Sequence, residues 1–260
     1  MNYTRLITCG DSFTEGMTDE VVNGLYTGWA DRVADVMAQE SPVFTYANFA
    51  IRGKLVAQVV QEQIPIAMQY VTGAETVFVF HAGANDVLRP NYKAELVLPL
   101  YTDAVRKIAA SGATVLLFTV LEKTAGKGRT AKLWATRFAE FNSNVRGIAK
   151  EVGALVADAN EDGFLSDRRF LAKDRLHLNP AGHDRVAQSV LQKLGLPYSP
   201  TWRTPPPTAP TPAFLIRTFQ DFRWLITFLT PWLWRRARGK SSGDGRIAKY
   251  PIPVKWPNSK

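Results

Sequence analysis

The sequence predicts an α/β protein of three layers, with helices on both faces of a parallel sheet. Over residues 1–196, short β-branched apolar runs alternate with longer stretches of helical periodicity, the pattern of βαβ units. The chain has 260 residues, enough for one sizeable core with an appendage and too few for two full domains. Its composition, 46% hydrophobic and 21% charged, is that of an ordinary globular protein, which excludes disorder or a collagen-like repeat as the general state of the chain.

Strands are expected near residues 6–9, 43–48, 76–81, 114–119 and 155–158. Between them, residues 28–39 place Trp29, Val33 and Val36/Met37 at three- and four-residue steps, and residues 54–69 and 94–110 carry similar apolar stripes. Residues 133–152 form another such stripe. The last helix, 180–194, is announced by Asn179 as a cap and Pro180 at the first helical position.

The composition changes abruptly after Leu196. Seven prolines, from Pro197 to Pro212, fall within sixteen residues and exclude both helix and central strand, so an extended linker is expected. Beyond it, Leu215, Phe219, Phe222, Ile226, Leu229 and Leu233 recur at four- and three-residue steps, an amphipathic segment interrupted by Arg217, Asp221 and Arg223 and therefore no membrane span. The domain division expected is thus 1–196 for the folded body and 197–260 for linker, aromatic segment and basic tail.

The formal charge of +9 suggests a nucleic-acid binder, but its distribution argues otherwise. Residues 197–260 hold eleven Lys/Arg and two Asp/Glu, while the body holds 21 of each and is neutral. The tail contains no recognised nucleic-acid module. Two readings of it remain: its apolar stripe packs on the body, or it lies at an anionic membrane surface, with Trp224, Trp232 and Trp234 beside Arg235, Arg236 and Arg238. In the second case the peripheral membrane contact runs through residues 214–240. Cys9 is the only cysteine, so no intramolecular disulfide forms. The first residues run straight into a strand without an apolar signal core, so the expected location is cytoplasmic, peripheral at the inner membrane surface if the tail is interfacial.

Chemistry concentrates at the strand ends. Ser12 follows the first strand, where parallel sheets present their functional loops, and a serine hydroxyl needs a neighbouring base to become a nucleophile. Of three histidines, His177 is the best partner, because Asp174 precedes it by three residues and can take the Nδ1 proton while Nε2 faces Ser12. Acyl transfer also needs donors for an oxyanion. Asn85, in Gly83-Ala84-Asn85-Asp86, offers a side-chain N–H, and Gly53 a backbone N–H without a Cβ in the way. Each block alone has a plainer explanation: Gly10-Asp11-Ser12 as a polar turn, Asn85 as a turn residue, Asp86 as a cap for the next helix, and Gly53 as a turn glycine. His81 and His183 are expected to be structural, Cys9 a small buried apolar residue, and Asp11 is given no chemical step.

Taken together, the blocks Gly10-Asp11-Ser12, Gly53, Gly83-Ala84-Asn85-Asp86 and Asp174-Arg175-Leu176-His177 resemble those of the SGNH, or GDSL, hydrolases. All four occur in order between residues 10 and 177, and the family fold so implied covers about residues 1–196. Phe13 stands where the older family label has Leu. The resemblance implies a flavodoxin-like, five-stranded parallel sheet of order 2-1-3-4-5, a catalytic set Ser12, His177 and Asp174, and an oxyanion hole from the Ser12 and Gly53 amides and the Asn85 side chain. It implies neither metal nor organic cofactor. The expected function is hydrolysis of carboxylic esters of a small-molecule or lipid substrate through a Ser12 acyl-enzyme. The alternatives are acyl transfer to another alcohol, carbohydrate deacetylation on the same site, or a membrane-recruited binding protein with a vestigial site. Neither oligomeric state nor acyl group follows from the residues. The loop 121–132, with Lys123, Lys127, Arg129 and Lys132, is expected to be a specificity loop.

Overall fold

A computed structural model of the chain describes residues 2–122, 128–161, 167–208, 213–238 and 240–257. Its centre is a sheet of five parallel strands, β1 (Arg5–Gly10), β2 (Thr45–Asn48), β3 (Thr76–His81), β4 (Thr114–Phe118) and β5 (Leu155–Ala157), in the spatial order β5-β4-β3-β1-β2. That is the 2-1-3-4-5 order implied by the resemblance. A sixth strand, β6 (Tyr250–Lys255), adds to it antiparallel on the outer edge of β2.

Residues 250–255, expected to belong to the basic tail, form a strand in the fold although Pro251 and Pro253 each lack a ladder donor. On an edge strand that loss falls on the side facing away from the ladder, where proline is tolerated and blocks further pairing.

Period-two alternation divides the core. Along β3, Val77 and Val79 face one layer and Phe78 and Phe80 the other, and every residue from Thr76 to His81 is buried, as a central parallel strand requires. One layer comprises the helical stretch 56–70, Ala94–Ala110 and Arg129–Val152, contributing Val59, Tyr101, Ile108, Phe141 and Val145. The opposite layer comprises Gly28–Glu40 and Pro180–Leu194, with Trp29, Val33, Met37, Val186 and Val190.

Asn179 caps the last of these helices, its side chain accepting from the Gly182 amide at 3.0 Å, with Pro180 at the first position. Arg129–Val152 begins four residues before the expected start, so Arg129 and Lys132 stand on a helix rather than in a loop. Lys123 and Lys127 lie outside the described residues.

The tail forms a helical arm over residues 214–237, continuous through a π-turn at Leu225–Leu229. Of the expected apolar stripe, Leu215, Phe219, Phe222 and Ile226 are exposed by 79, 66, 59 and 52% and do not pack on the body. The Leu233 and Arg236 side chains, and Pro210 and Pro212 of the linker, are outside the described residues. Among the described residues no helix is long and apolar enough to cross a membrane.

Candidate active site

The chain leaves β1 and turns into β2 on one side and, later, β3 on the other. This opens a crevice at the carboxyl end of β1, where α/β sheets bind their ligands. Ser12 sits there, as the first residue of the short helix Ser12–Glu15. The Asp11 carboxylate caps that helix by accepting from the Phe13 amide at 3.1 Å. A residue at this position has no intrahelical acceptor for its own N–H, and the helix N-terminus favours negative charge.

Buried Gln63 fixes the approach to Ser12 by pairing with both backbone groups of Gly10: its Oε1 accepts from the Gly10 amide at 2.8 Å and its Nε2 donates to the Gly10 carbonyl at 3.0 Å. The pairing substitutes for a ladder partner at the end of the strand. Nothing in the sequence around Gln63 signals it.

His177 Nε2 lies 2.9 Å from Ser12 Oγ, and His177 Nδ1 lies 2.7 Å from Asp174 Oδ2. With the Nδ1 proton directed at Asp174, Nε2 is the acceptor of the serine proton. The other carboxylate oxygen of Asp174 accepts from the Leu176 and His177 amides, each at 3.0 Å, so three hydrogen bonds fix the carboxylate. Burial works to raise its pKa, but the hydrogen bond and charge of His177 and those two amides prevail and hold it below the usual value. Arg175 completes the turn with a left-handed backbone, φ 58°, an uncommon state for a non-glycine residue.

Asn85 stands in the helix Ala84–Val87, after β3. Its Nδ2 donates to Asp11 Oδ2 at 3.0 Å and to the Lys54 carbonyl at 3.2 Å, so both amide protons already have protein acceptors. Asp11, for which sequence reasoning found no chemical step, therefore links the helix that carries Ser12 to Asn85. Its Oδ1 also lies 3.7 Å from Nδ1 of the buried His81. Asp86 caps a helix, but one before it in the chain: its Oδ2 accepts from the Val56 amide at 3.0 Å. Burial first, with Asp11 adding, pushes its pKa up to about 6.

Gly53 has φ 77°, a left-handed conformation that a side chain would strain. It has a second constraint, since a Cβ there would collide with Ser241 Oγ of the tail. The turn 241–244, closed by Ser241 N–H donating to Asp244 Oδ2 at 2.8 Å, packs against this loop so closely that a Cβ on Gly243 would meet the Arg52 carbonyl. Arg52 is itself fixed by Glu15, whose Oε2 accepts from the Arg52 amide at 2.7 Å.

Lys249 anchors the tail behind this turn. Its buried ammonium lies 2.6 Å from Asp31 Oδ1 and donates to the Tyr26 and Thr27 carbonyls at 2.8 Å. Tyr46 Oη donates to the same Asp31 oxygen at 2.8 Å, and Asn48 Nδ2 donates to Tyr46 Oη at 2.8 Å and to the Thr14 carbonyl at 3.0 Å. A polar chain thus runs from the tail to the helix of Ser12. On the other flank, Trp224 Nε1 of the arm donates to the Asp174 carbonyl at 2.8 Å. No local signal in residues 197–260 reveals these contacts.

His183 is a packing residue. Its Nδ1 accepts from the Trp29 amide at 3.3 Å and its Nε2 donates to the Met17 carbonyl at 3.1 Å, and burial pushes its pKa down to about 4. Cys9 is buried, and burial raises its thiol pKa. Among the described residues no group of three His, Cys, Asp or Glu side chains is placed to hold a metal ion.

A model of the GDSL-like lipase/acylhydrolase family matches residues 8–185. No curated protein matches the chain. Three of the solved structures it is similar to are an α/β hydrolase enzyme from the metagenome of Lake Arreo, Spain, the acetylxylan esterase Axe2 from Geobacillus stearothermophilus, and the psychrotrophic esterase EstA from Pseudoalteromonas sp.. Identities are 19, 20 and 18%, and TM-scores 0.61, 0.57 and 0.54. Each alignment covers 74% of this chain, and 95, 94 and 97% of the respective structure. At these identities the likeness is one of fold.

Proposed function

The chain belongs to the GDSL-like lipase/acylhydrolase family and is an SGNH-type ester hydrolase; from that premise we propose that it cleaves carboxylic esters through an acyl-enzyme on Ser12. The observation that carries the proposal is the relay of 2.9 Å from Ser12 Oγ to His177 Nε2 and 2.7 Å from His177 Nδ1 to Asp174.

Ser12 Oγ attacks the ester carbonyl carbon as its proton passes to His177 Nε2, and Asp174 stabilises the imidazolium. The tetrahedral oxyanion accepts from the Ser12 and Gly53 amides and from Asn85 Nδ2, which exchanges its longer bond, to the Lys54 carbonyl, for the developing charge. A donor of this kind contributes about 3 kcal/mol. Collapse breaks the ester C–O bond, and the leaving alkoxide takes the proton from His177. Water, deprotonated by the same imidazole, then attacks the acyl-enzyme, and its collapse frees the acid and restores Ser12.

A second reading, deacetylation of a carbohydrate, is favoured by the fold likeness to an acetylxylan esterase. A panel of p-nitrophenyl esters of increasing chain length beside sugar acetates separates it from lipid-ester hydrolysis. A fluorophosphonate should label the wild-type protein and fail to label Ser12→Ala, which should also lose ester hydrolysis. Full-strength labelling of Ser12→Ala would remove Ser12 as the nucleophile.

A further inference from the structure

The body grips the arm 214–237 through Asp221 and Trp224. Asp221 pairs with Arg175 at 2.7 Å, Trp224 lies against the Arg175 guanidinium with 5.1 Å to its ring centroid, and the Trp224 indole holds the Asp174 carbonyl. Leu215, Phe219, Phe222 and Ile226, at four- and three-residue steps, are each more than half exposed, with Phe222 at the edge of the row beside Arg168 and Arg175. Four large apolar side chains in one row on a protruding helix form an apolar patch that water alone does not explain.

The charge around the row is one-sided. Arg223, Arg235, Arg238 and Lys240 are exposed on or beside the arm, and its single acid, Asp221, is engaged by Arg175. Residues 197–260 carry eleven Lys/Arg against two Asp/Glu, so a second copy of the tail brings a net like charge, whereas an anionic lipid surface brings the opposite one. The aromatic end of the arm has the same character: exposed Trp234 lies beneath the Arg238 guanidinium, 4.3 Å from centroid to carbon, an amphipathic pair suited to the headgroup layer. Leu176, half exposed on the catalytic loop, adjoins the Arg175 that the arm grips.

We propose that the arm lies flat on an anionic lipid surface, with Leu215, Phe219, Phe222 and Ile226 inserted among the acyl chains and the arginines at the headgroups. Docking there brings the loop of Asp174 and His177 to the lipid boundary. The proposal concerns binding and stands whether or not Ser12 is the nucleophile.

The test is co-sedimentation of the full chain with vesicles of phosphatidylcholine alone and of phosphatidylcholine mixed with phosphatidylserine. Wild type should partition onto the mixed vesicles, release as salt rises, and bind neutral vesicles weakly. The variant Leu215→Ser/Phe219→Ser/Ile226→Ser alters only exposed positions. Its partitioning should fall by more than about tenfold, with hydrolysis of a water-soluble p-nitrophenyl ester unchanged. Arg235→Glu/Arg238→Glu should lose the preference for anionic vesicles. Equal sedimentation of wild type and the triple variant would overturn the proposal. So would wild type that ignores mixed vesicles but forms a dimer that the triple variant dissolves, since the patch then serves a second copy.

Discussion

Replacing Lys249 by Met removes the cation facing Asp31 while keeping a stem of similar length. Asp31 is 5% exposed, and its carboxylate, 2.6 Å from the ammonium, would be left with Tyr46 Oη as its only side-chain donor among the described residues. Breaking a buried pair at one partner costs about 3 to 5 kcal/mol, because the remaining charge is uncompensated. Protonation offers a partial escape. Burial already raises the Asp31 pKa to about 6 against the pull of Lys249, so loss of the lysine raises it further. A carboxyl whose folded pKa lies above its unfolded value contributes stability in its protonated form. That contribution is lost as pH rises from the unfolded pKa through the folded one, at about 1.4 kcal/mol per unit. Lys249→Met should therefore be least destabilised near pH 5 and most near pH 8, where a loss of about 3 kcal/mol or more is expected. Urea unfolding followed by tryptophan fluorescence at both pH values measures it. Asp31→Asn removes the charge but keeps an acceptor for Tyr46 Oη, so the double variant should recover most of the loss, with a coupling of about 2 kcal/mol or more. A loss below about 1 kcal/mol near pH 8, or strictly additive single variants, would show that the pair does not anchor the tail.

Asp174→Asn should lower kcat by roughly 10³- to 10⁴-fold with little change in KM, because the amide no longer holds the His177 tautomer that accepts from Ser12; steady-state kinetics on a p-nitrophenyl ester gives the split. Gly243→Val should push the turn 241–244 off the Arg52 carbonyl and loosen the Gly53 loop, lowering kcat about tenfold while KM stays near its wild-type value; unchanged kcat would separate that turn from the site. Burial pushes the folded pKa of His183 down to about 4, below the ordinary imidazole value of about 6.5, so its contribution is complete above about pH 6.5 and is lost as pH falls towards 4, on the order of 3 kcal/mol in all. Unfolding curves of wild type and His183→Gln across that range should differ most in slope, and parallel curves would remove His183 from the acid response.

The strand and helix pattern of the body was legible because periodicity is local. The runs at 76–81 and 94–110 coincide with elements Thr76–His81 and Ala94–Ala110 in the fold, and Asn179-Pro180 announced the last helix with the cap it makes. The candidate site residues were legible for a related reason. A parallel sheet delivers the carboxyl ends of its strands to one edge, so residues 12, 53 and 85 could be assigned to a common crevice from strand positions alone.

Apart from the pairing of His177 with Ser12, contacts across the fold were not legible. Gln63 pairing with Gly10, Asp11 held between Phe13 and Asn85, Asp86 capping Val56, and Ser241 pressed on Gly53 join residues far apart in the chain or serve partners that local pattern does not name. The tail shows the limit most clearly. Its prolines and basic residues read as linker and tail, yet Pro251 and Pro253 stand in an edge strand and Lys249 closes a buried ion pair. Helix and strand periodicity, and the side chains able to serve as nucleophile, base or donor, were legible from the amino acids alone, because those properties belong to residues and their near neighbours. It took the folded chain to show that residues 241–244 return to brace the Gly53 loop, that Lys249 meets Asp31, and that the arm's apolar row is left exposed, because desolvation and hydrogen-bond satisfaction are set by the whole fold.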